Sequence, residues 1–192
     1  MTLQVSDNSD EVQESSKYLT FELANEHYGV DILRVREIIG LLDITPIPNT
    51  PEYTKGVINL RGKIIPVMDL RMKFGVHVSE FTEETCIIVV EIEGADSQAQ
   101  THIGVIVDTV SDVLDVPDGV IEPTPKYGTV GNTEFIRGLG KTEIAGTQQV
   151  LIILDIDKAI ADSSAEGHAI TDELTLTQSI TSQNPGQSDL AA

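Results

Sequence analysis

Apolar and polar positions alternate with a period of two along most of this chain. "KYLTFEL" sets Leu19, Phe21 and Leu23 against Tyr18 and Thr20, "ANEH" makes a turn, and "YGVDI" follows. That is the pattern of short strands with one face turned to a core. Further strands are expected in "KIIPVMDL", "TCIIVVEI", "THIGVIVD" and "QVLIILDI", which are rich in Val and Ile and are cut by Gly, Pro, Asn or Asp at short intervals. Two stretches read as helical. One is a turn or two around "ILRVREII"; the other is "DIDKAIADS", where Ile156, Ala159 and Ile160 fall at i, i+3 and i+4.

An internal repeat organises these strands. "GVDILRVREII" (29–39) matches "GVIVDTVSDVL" (104–114) without a gap, setting Gly29 over Gly104, Val35 over Val110, Glu37 over Asp112 and Ile38 over Val113. Downstream, "KGV…IIPVMDL" (55–70) corresponds to "RGL…VLIILDI" (137–156), and the offset grows from 75 to 82 to 86, as loop insertions would make it. Two matches in the same order predict an all-β fold of two related halves. Each half, of about five short strands, is the size of a small closed barrel. Closure would remove exposed sheet edges, and Pro66 is expected at an edge or a bend of such a barrel.

Within "KGVINLRGKIIPVMDL" (55–70), an arginine separates two apolar runs. Asn-Gly or Asp-Gly would close a hairpin at lower cost, so Arg61 either caps a loop to no purpose or is presented to something.

Charge narrows the folded region and the range of partners. Residues 1–16 and 162–192 carry acids but no Lys or Arg, and both ends are rich in Ser, Thr, Gln and Asn. They read as disordered tails around a folded part at 17–161. A formal net charge of −19 argues against nucleic acid or an anionic membrane as partner. No N-terminal signal pattern is present, and no apolar run approaches the ~20 residues of a membrane span, so a soluble, cytoplasmic protein without membrane insertion is expected. The single cysteine, Cys86, lies inside an apolar strand and reads as a small buried hydrophobe.

Catalytic motifs are missing from the sequence. It has no Gly-x-Ser-x-Gly elbow, no phosphate-cradling loop and no His-Glu-x-x-His. His27, His77, His102 and His168 stand singly and read as solvated. Asp108, Asp112, Asp115 and Asp118 lack the order of a calcium loop. Neither enzyme activity, metal nor cofactor is expected. The charge map is more informative: seven bases and four acids lie between Arg34 and Lys73, whereas eleven acids and no base lie between Glu80 and Glu122. Such polarity can orient protein partners.

The order "YLTFEL…YGVDILRVREI…PIPNTPEYTKGVINLRGKIIPVMDLRMKFG", continued by "IGVIVDTVSDVL" and "FIRGLG…QVLIILDIDKAI", resembles CheW, the coupling protein of chemotaxis, over roughly 17–161. The resemblance implies two SH3-like five-stranded barrels packed together. It also implies an adaptor role, joining the histidine kinase CheA, through its regulatory domain, to the cytoplasmic tips of chemoreceptors in membrane-associated arrays. The same domain type forms the regulatory end of CheA and the front of CheV, but this chain carries no kinase or receiver signature. By the same resemblance, "NLRG" is a surface loop near the receptor site with Arg61 as its charged contact. Arg61 could instead pair with Glu37 inside the protein, or an internal pair could present the fork outward. A receptor helix would need an apolar groove, which the family places between the barrels. That points to Val35, Val110 and Val113, each also readable as plain core. Gly56 and Gly104 would permit close backbone approach, or simply a tight turn. The kinase side falls on Ile38, Ile39 and Leu41, with Leu42 nearby.

The acidic N-terminal tail, the Thr/Ser/Gln-rich C-terminal tail and the long polar loop in "EIEGADSQAQTHIG" depart from the minimal family pattern. Alternative readings are a homologous adaptor of a CheA pathway other than chemotaxis, and a small β-barrel hydrolase or ligand-binding protein.

Overall fold

A computed structural model describes residues 15–76, 80–93, 100–124, 133–144 and 146–161. The expectations for both tails and for the polar loop at 94–99 lie outside the described residues, as do those for His77 and His168. The chain divides after Ile160, and the fold below is that of the unit before the division.

Eleven strands and two short helices follow one another: β1 (Ser15–Leu23), β2 (Glu26–Asp31), β3 (Val35–Gly40), β4 (Thr54–Leu60), β5 (Lys63–Asp69), α1 (Leu70–Lys73), β6 (Cys86–Glu93), β7 (Gln100–Val107), β8 (Thr109–Pro117), β9 (Ile121–Glu122), β10 (Ile136–Ile144), β11 (Thr147–Leu154) and α2 (Ile156–Ile160). β1 starts at Ser15, which pairs with Pro117 two residues ahead of the expected limit of the folded part. The helix expected at the end is present as α2, with Ile156, Ala159 and Ile160 buried. The one expected around "ILRVREII" is a single 3-10 turn, Ile32–Arg34, in which the Asp31 carboxylate accepts from the Leu33 N–H. The rest is strand β3. After a bulge between Val35 and Glu37, Glu37 and Ile39 face one way and Ile38 the other, so the apolar spacing fits a strand as well as a helix. Val35, Ile38 and Ile39 are β-branched, which tips the choice.

The strands form two sheets, ordered β3-β6-β7-β5-β4 and β8-β1-β2-β11-β10-β9. Each contains one parallel pair, β5 with β7 and β11 with β2. The two orders superpose through the repeat: β1 and β2 correspond to β6 and β7, β3 to β8, and β4-β5 to β10-β11. The correspondence reaches single hydrogen bonds. Asp69 N–H donates to the Tyr53 carbonyl and Asp155 N–H to the Phe135 carbonyl, and the ladders bulge at Lys55 and again at Arg137. The sequence halves, however, are not the barrels. β1 and β2 leave the first half to join the second half's sheet, while β6 and β7 join the first's. Similarity of sequence identifies equivalent strands, and says nothing of which copy each strand pairs with.

Each sheet curls round its own interior. Ile39 on β3 and Ile58 on β4 stand at opposite ends of the five-stranded order and share one apolar cluster with Ile65, Val67, Ile87, Val89 and Ile106. Leu114 on β8 and Ile121 on β9 close the other sheet in the same way, around Tyr18, Val116, Leu151 and Ile153. A third and larger core lies between the sheets, built from Leu19, Phe21, Tyr28 and Val30 of one and Met68, Ile88, Val90 and Val105 of the other. This explains the unbroken apolar run in β6: Ile87 and Val89 fill the barrel, and Ile88 and Val90 fill the inter-sheet core.

Pro66 sits on an internal strand, opposite Val57, and not at an edge. On that side its missing N–H costs no bond. Val57 uses its own N–H and carbonyl with Thr45, both at 2.9 Å.

One buried ionic cluster ties the sheets together. Arg71, fully buried, grips Asp69 with two parallel bonds (2.9 and 2.7 Å) and gives a third to Asp108 (2.7 Å), whose other oxygen accepts from the Ala24 N–H in the β1–β2 turn. Hydrogen bonding to Asp69, and then to Asp108, raises the Arg71 pKa above its ordinary value, against the opposing effect of burial. Arg71 donates all three of these bonds, and losing either carboxylate would leave a buried charge short of acceptors, which is destabilising.

Candidate functional site

The two edge strands of the five-stranded sheet, β3 and β4, do not pair with each other, and the seam between them is bridged by the chain leaving β3, where Thr45 bonds to Val57. The β4–β5 hairpin reaches across the seam. Its two-residue turn is Arg61-Gly62, with φ of 52° and 86°, the left-handed pair that a type I′ turn demands. The Gly62 N–H donates to the Asn59 side chain at 2.8 Å, which locks the turn. From its tip the Arg61 guanidinium spans the seam to Glu37 on β3, in a two-pronged contact of 2.8 and 3.3 Å.

The choice of arginine can be weighed. Holding a residue with a Cβ in the left-handed region costs roughly 1–2 kcal/mol. An exposed ion pair returns about 0–1 kcal/mol, and the Arg61 side chain is 78% exposed. The strain outweighs the ion pair by about 1 kcal/mol. Arg61 contributes little to stability where Asn or Gly would serve better.

Beneath the pair lies a shallow groove of about 220 Å³ lined by Arg36, Glu37, Leu60, Arg61, Lys63, Ile65, Val89 and His102. Glu91 anchors one side: nearly buried, it pairs with Arg36 and stands 3.5 Å from His102 across the β6–β7 ladder. The hydrogen bond from Arg36 holds the Glu91 carboxyl below the usual carboxylate range, with His102 adding to the effect. Sequence reading placed His27 and His102 on the solvated surface. Both instead stand in strands beside a cross-strand glutamate, His27 at 3.6 Å from Glu22. The repeat carried that signal, for His27 and His102 are 75 residues apart, the offset of the first matched segment.

The remaining site residues fall into three groups. Val35 and Val110 pack against the inter-sheet core, whereas Val113 on β8 is 45% exposed. Ile38, its counterpart on β3, is equally exposed. Gly56 and Gly104 are buried. A Cβ on Gly56 would lie 2.1 Å from the Thr45 carbonyl oxygen, and one on Gly104 would lie 2.8 Å from Ile87, so both glycines are required by packing inside the barrel. On the expected kinase side, Ile39 and Leu41 point into the barrel core, while Ile38 and Leu42 are exposed. The structure thus brings Glu37 and Arg61 together at the seam and leaves the valines at a separate place on the inter-sheet face. Lys63 and His102, missed by the sequence reading, adjoin Arg61 in the groove. Among the described residues no group of three or more His, Cys, Asp or Glu is placed to hold a metal ion, and no helix is long and apolar enough to cross a membrane.

Comparison with known proteins agrees with this arrangement. The chemotaxis protein CheW of Klebsiella aerogenes is 40% identical over 159 residues, covering 79% of this chain and 90% of the relative. The probable chemotaxis protein CheW of Rhizobium etli is 30% identical over 154 residues, covering 80% and 93%. Among solved structures, the scaffolding protein TtCheW from Thermoanaerobacter tengcongensis superposes with a TM-score of 0.66 at 38% identity, over 78% of this chain and 95% of that one. The seam, the interleaved sheets and the repeat all lie within residues 17–164, the span matched by the model of the CheW-like domain, and the chain belongs to the CheW family.

Proposed function

We propose that this protein is a non-enzymatic adaptor of a chemotaxis pathway. It holds the regulatory domain of a CheA-type histidine kinase and the cytoplasmic tip of a chemoreceptor together in the cytoplasm, at membrane-associated receptor arrays. The observation that carries the receptor side is Arg61, an exposed, forked cation held in a strained turn whose energetics give stability no reason to keep it. On this reading the receptor tip meets Arg61 with Glu37 at the seam and Val113 on the inter-sheet face. Val35, Val110, Gly56 and Gly104 shape the surface from below. The kinase meets the exposed Ile38 and Leu42, with Ile39 and Leu41 supporting them from the core. No cofactor is needed.

Titration of Arg61→Ala against a receptor signalling fragment, and separately against the kinase regulatory domain, tests this reading. Loss of charge-assisted hydrogen bonds worth about 1.5–3 kcal/mol weakens the receptor complex about ten- to hundredfold and leaves the kinase complex unchanged. Arg61→Lys keeps the charge but loses the fork, and recovers part of the binding. Equal losses against both partners, with a lowered melting temperature, would mean that Arg61 only holds the loop.

A further inference from the structure

The chain passes between the two sheets twice, from β2 to β3 and from β7 to β8, and a charged clasp stands at each crossing. At the second, Asp108 holds Arg71 at the start of α1 and takes the Ala24 N–H from the β1–β2 turn. At the first, Arg34 holds Asp157 at the start of α2 at 2.7 Å, and Asp157 takes the Glu93 N–H from the end of β6 at 3.0 Å. The repeat sets Asp157 over Arg71, so the two clasps are counterparts with their charges exchanged.

They differ in depth. Arg71 is fully buried and is gripped by Asp69 as well. The Arg34 and Asp157 side chains are 30 and 31% exposed, and the second acceptor of Arg34, Glu93 at 3.1 Å, is 79% exposed. Asp155, the counterpart of Asp69, turns instead to Lys158 in its own helix. Salt screens exposed pairs and leaves buried ones largely intact. What the weaker clasp holds is α2. That helix lays Ile156, Ala159 and Ile160 into the inter-sheet core beside β6. It has only five residues, far short of the ~12–15 that a helix needs to stand alone in water. Its far end is tied by Lys73, which donates to the Ile160 carbonyl at 2.9 Å.

We infer that α2 is a strap over the inter-sheet core, closed by the Arg34–Asp157 clasp, and that it opens while the Arg71 cluster keeps the sheets joined. Opening breaks the bonds from Arg34 and from the Glu93 N–H to Asp157, withdraws Ile156, Ala159 and Ile160, and leaves an apolar strip beside β6. A short segment held by few contacts opens at a lower free energy than the whole fold. The strap gives the molecule a second state, whichever partners it serves.

Hydrogen exchange of the full chain, followed amide by amide in wild type, Arg34→Gln and Asp108→Asn at low and high salt, tests this. In wild type, high salt should speed exchange at Glu93 and Ala159 relative to Ile88 and Val105 in the central strands. Arg34→Gln should speed Glu93 and Ala159 about tenfold at low salt, the effect of losing a charge-assisted hydrogen bond. It should also abolish their response to salt and barely move the melting temperature. Asp108→Asn should instead speed all four amides and lower the melting temperature. Equal acceleration of all four by Arg34→Gln would overturn the inference, since α2 would then open only with the whole core. Exchange at Glu93 and Ala159 unchanged by Arg34→Gln would overturn it too, because the clasp would hold nothing.

Discussion

Arg61 and Glu91 show how differently two ion pairs on one barrel are used. Arg61 is exposed and its pair returns little to stability, whereas Glu91 is 7% exposed and wedged against Arg36. The Glu91 carboxyl is held below the usual carboxylate range, first by its hydrogen bond from Arg36. A carboxylate whose pKa is lower folded than unfolded stabilises the protein above the unfolded value, about 4.3, and loses that contribution as pH falls through the folded value. Wild type should therefore exceed Glu91→Gln in urea midpoint at neutral pH, and the gap should narrow as pH drops below about 4. A gap that stays constant from neutral to strongly acidic solution would remove any role for the ionised form. Gly56 was legible as a residue needing closeness, but the neighbour that crowds it, the Thr45 carbonyl, comes from a bridge that no local pattern announces.

At the scale of elements, the strands were readable because each has a consistent apolar face, and α2 because its three buried residues keep helical spacing. "ILRVREII" was misread because five apolar positions in eight residues satisfy both periods once a bulge is allowed. That strand also separates two kinds of apolar residue on the expected kinase side. Ile39 faces Ile87 inside the barrel, while Ile38, beside it, faces out. Ile38→Asp should weaken binding of the kinase regulatory domain at least tenfold, since burying such a side chain is worth about 1.5–3 kcal/mol, and should leave the melting temperature in place. Ile39→Asp should instead lower the melting temperature by many degrees, because it puts a charge into an apolar core. If the two substitutions exchange these effects, the register of β3 is wrong. The seam itself was half legible. Arg61 stood out as an odd choice for a turn, but Lys63 and His102 gave no sign, because their place beside Arg61 depends on which strands border the gap.

For the molecule as a whole, the repeat announced two equivalent units and concealed how they are assembled. Each sheet takes strands from both halves, so neither half contains a barrel. Expressed alone, residues 15–76 and 80–161 should each remain largely unfolded, showing little protection of amide hydrogens. Mixed in equal amounts, they should recover the strand signal in circular dichroism. A folded first fragment on its own would contradict the interleaved topology. The Arg71 cluster bears on the same point. Its ligands come from β5, from the β7–β8 junction and, through Asp108, from the β1–β2 turn, so assembly of one sheet fixes the position of the other.

The exchange of strands between halves also has a bearing on descent. A single ancestral copy with this connectivity would have held an unpaired two-stranded hairpin and an incomplete three-stranded partner, and could have closed neither barrel alone. It would have closed both by trading hairpins with a second copy, a low-cost route to a symmetric dimer. Fusion of two such copies would make the trade permanent within one polypeptide and free each copy to drift. Arg36 and Lys63 on one sheet, with Ser111 and Gln149 at the matching positions of the other, are the kind of difference such drift would leave: a former two-fold symmetry turned into two unlike faces.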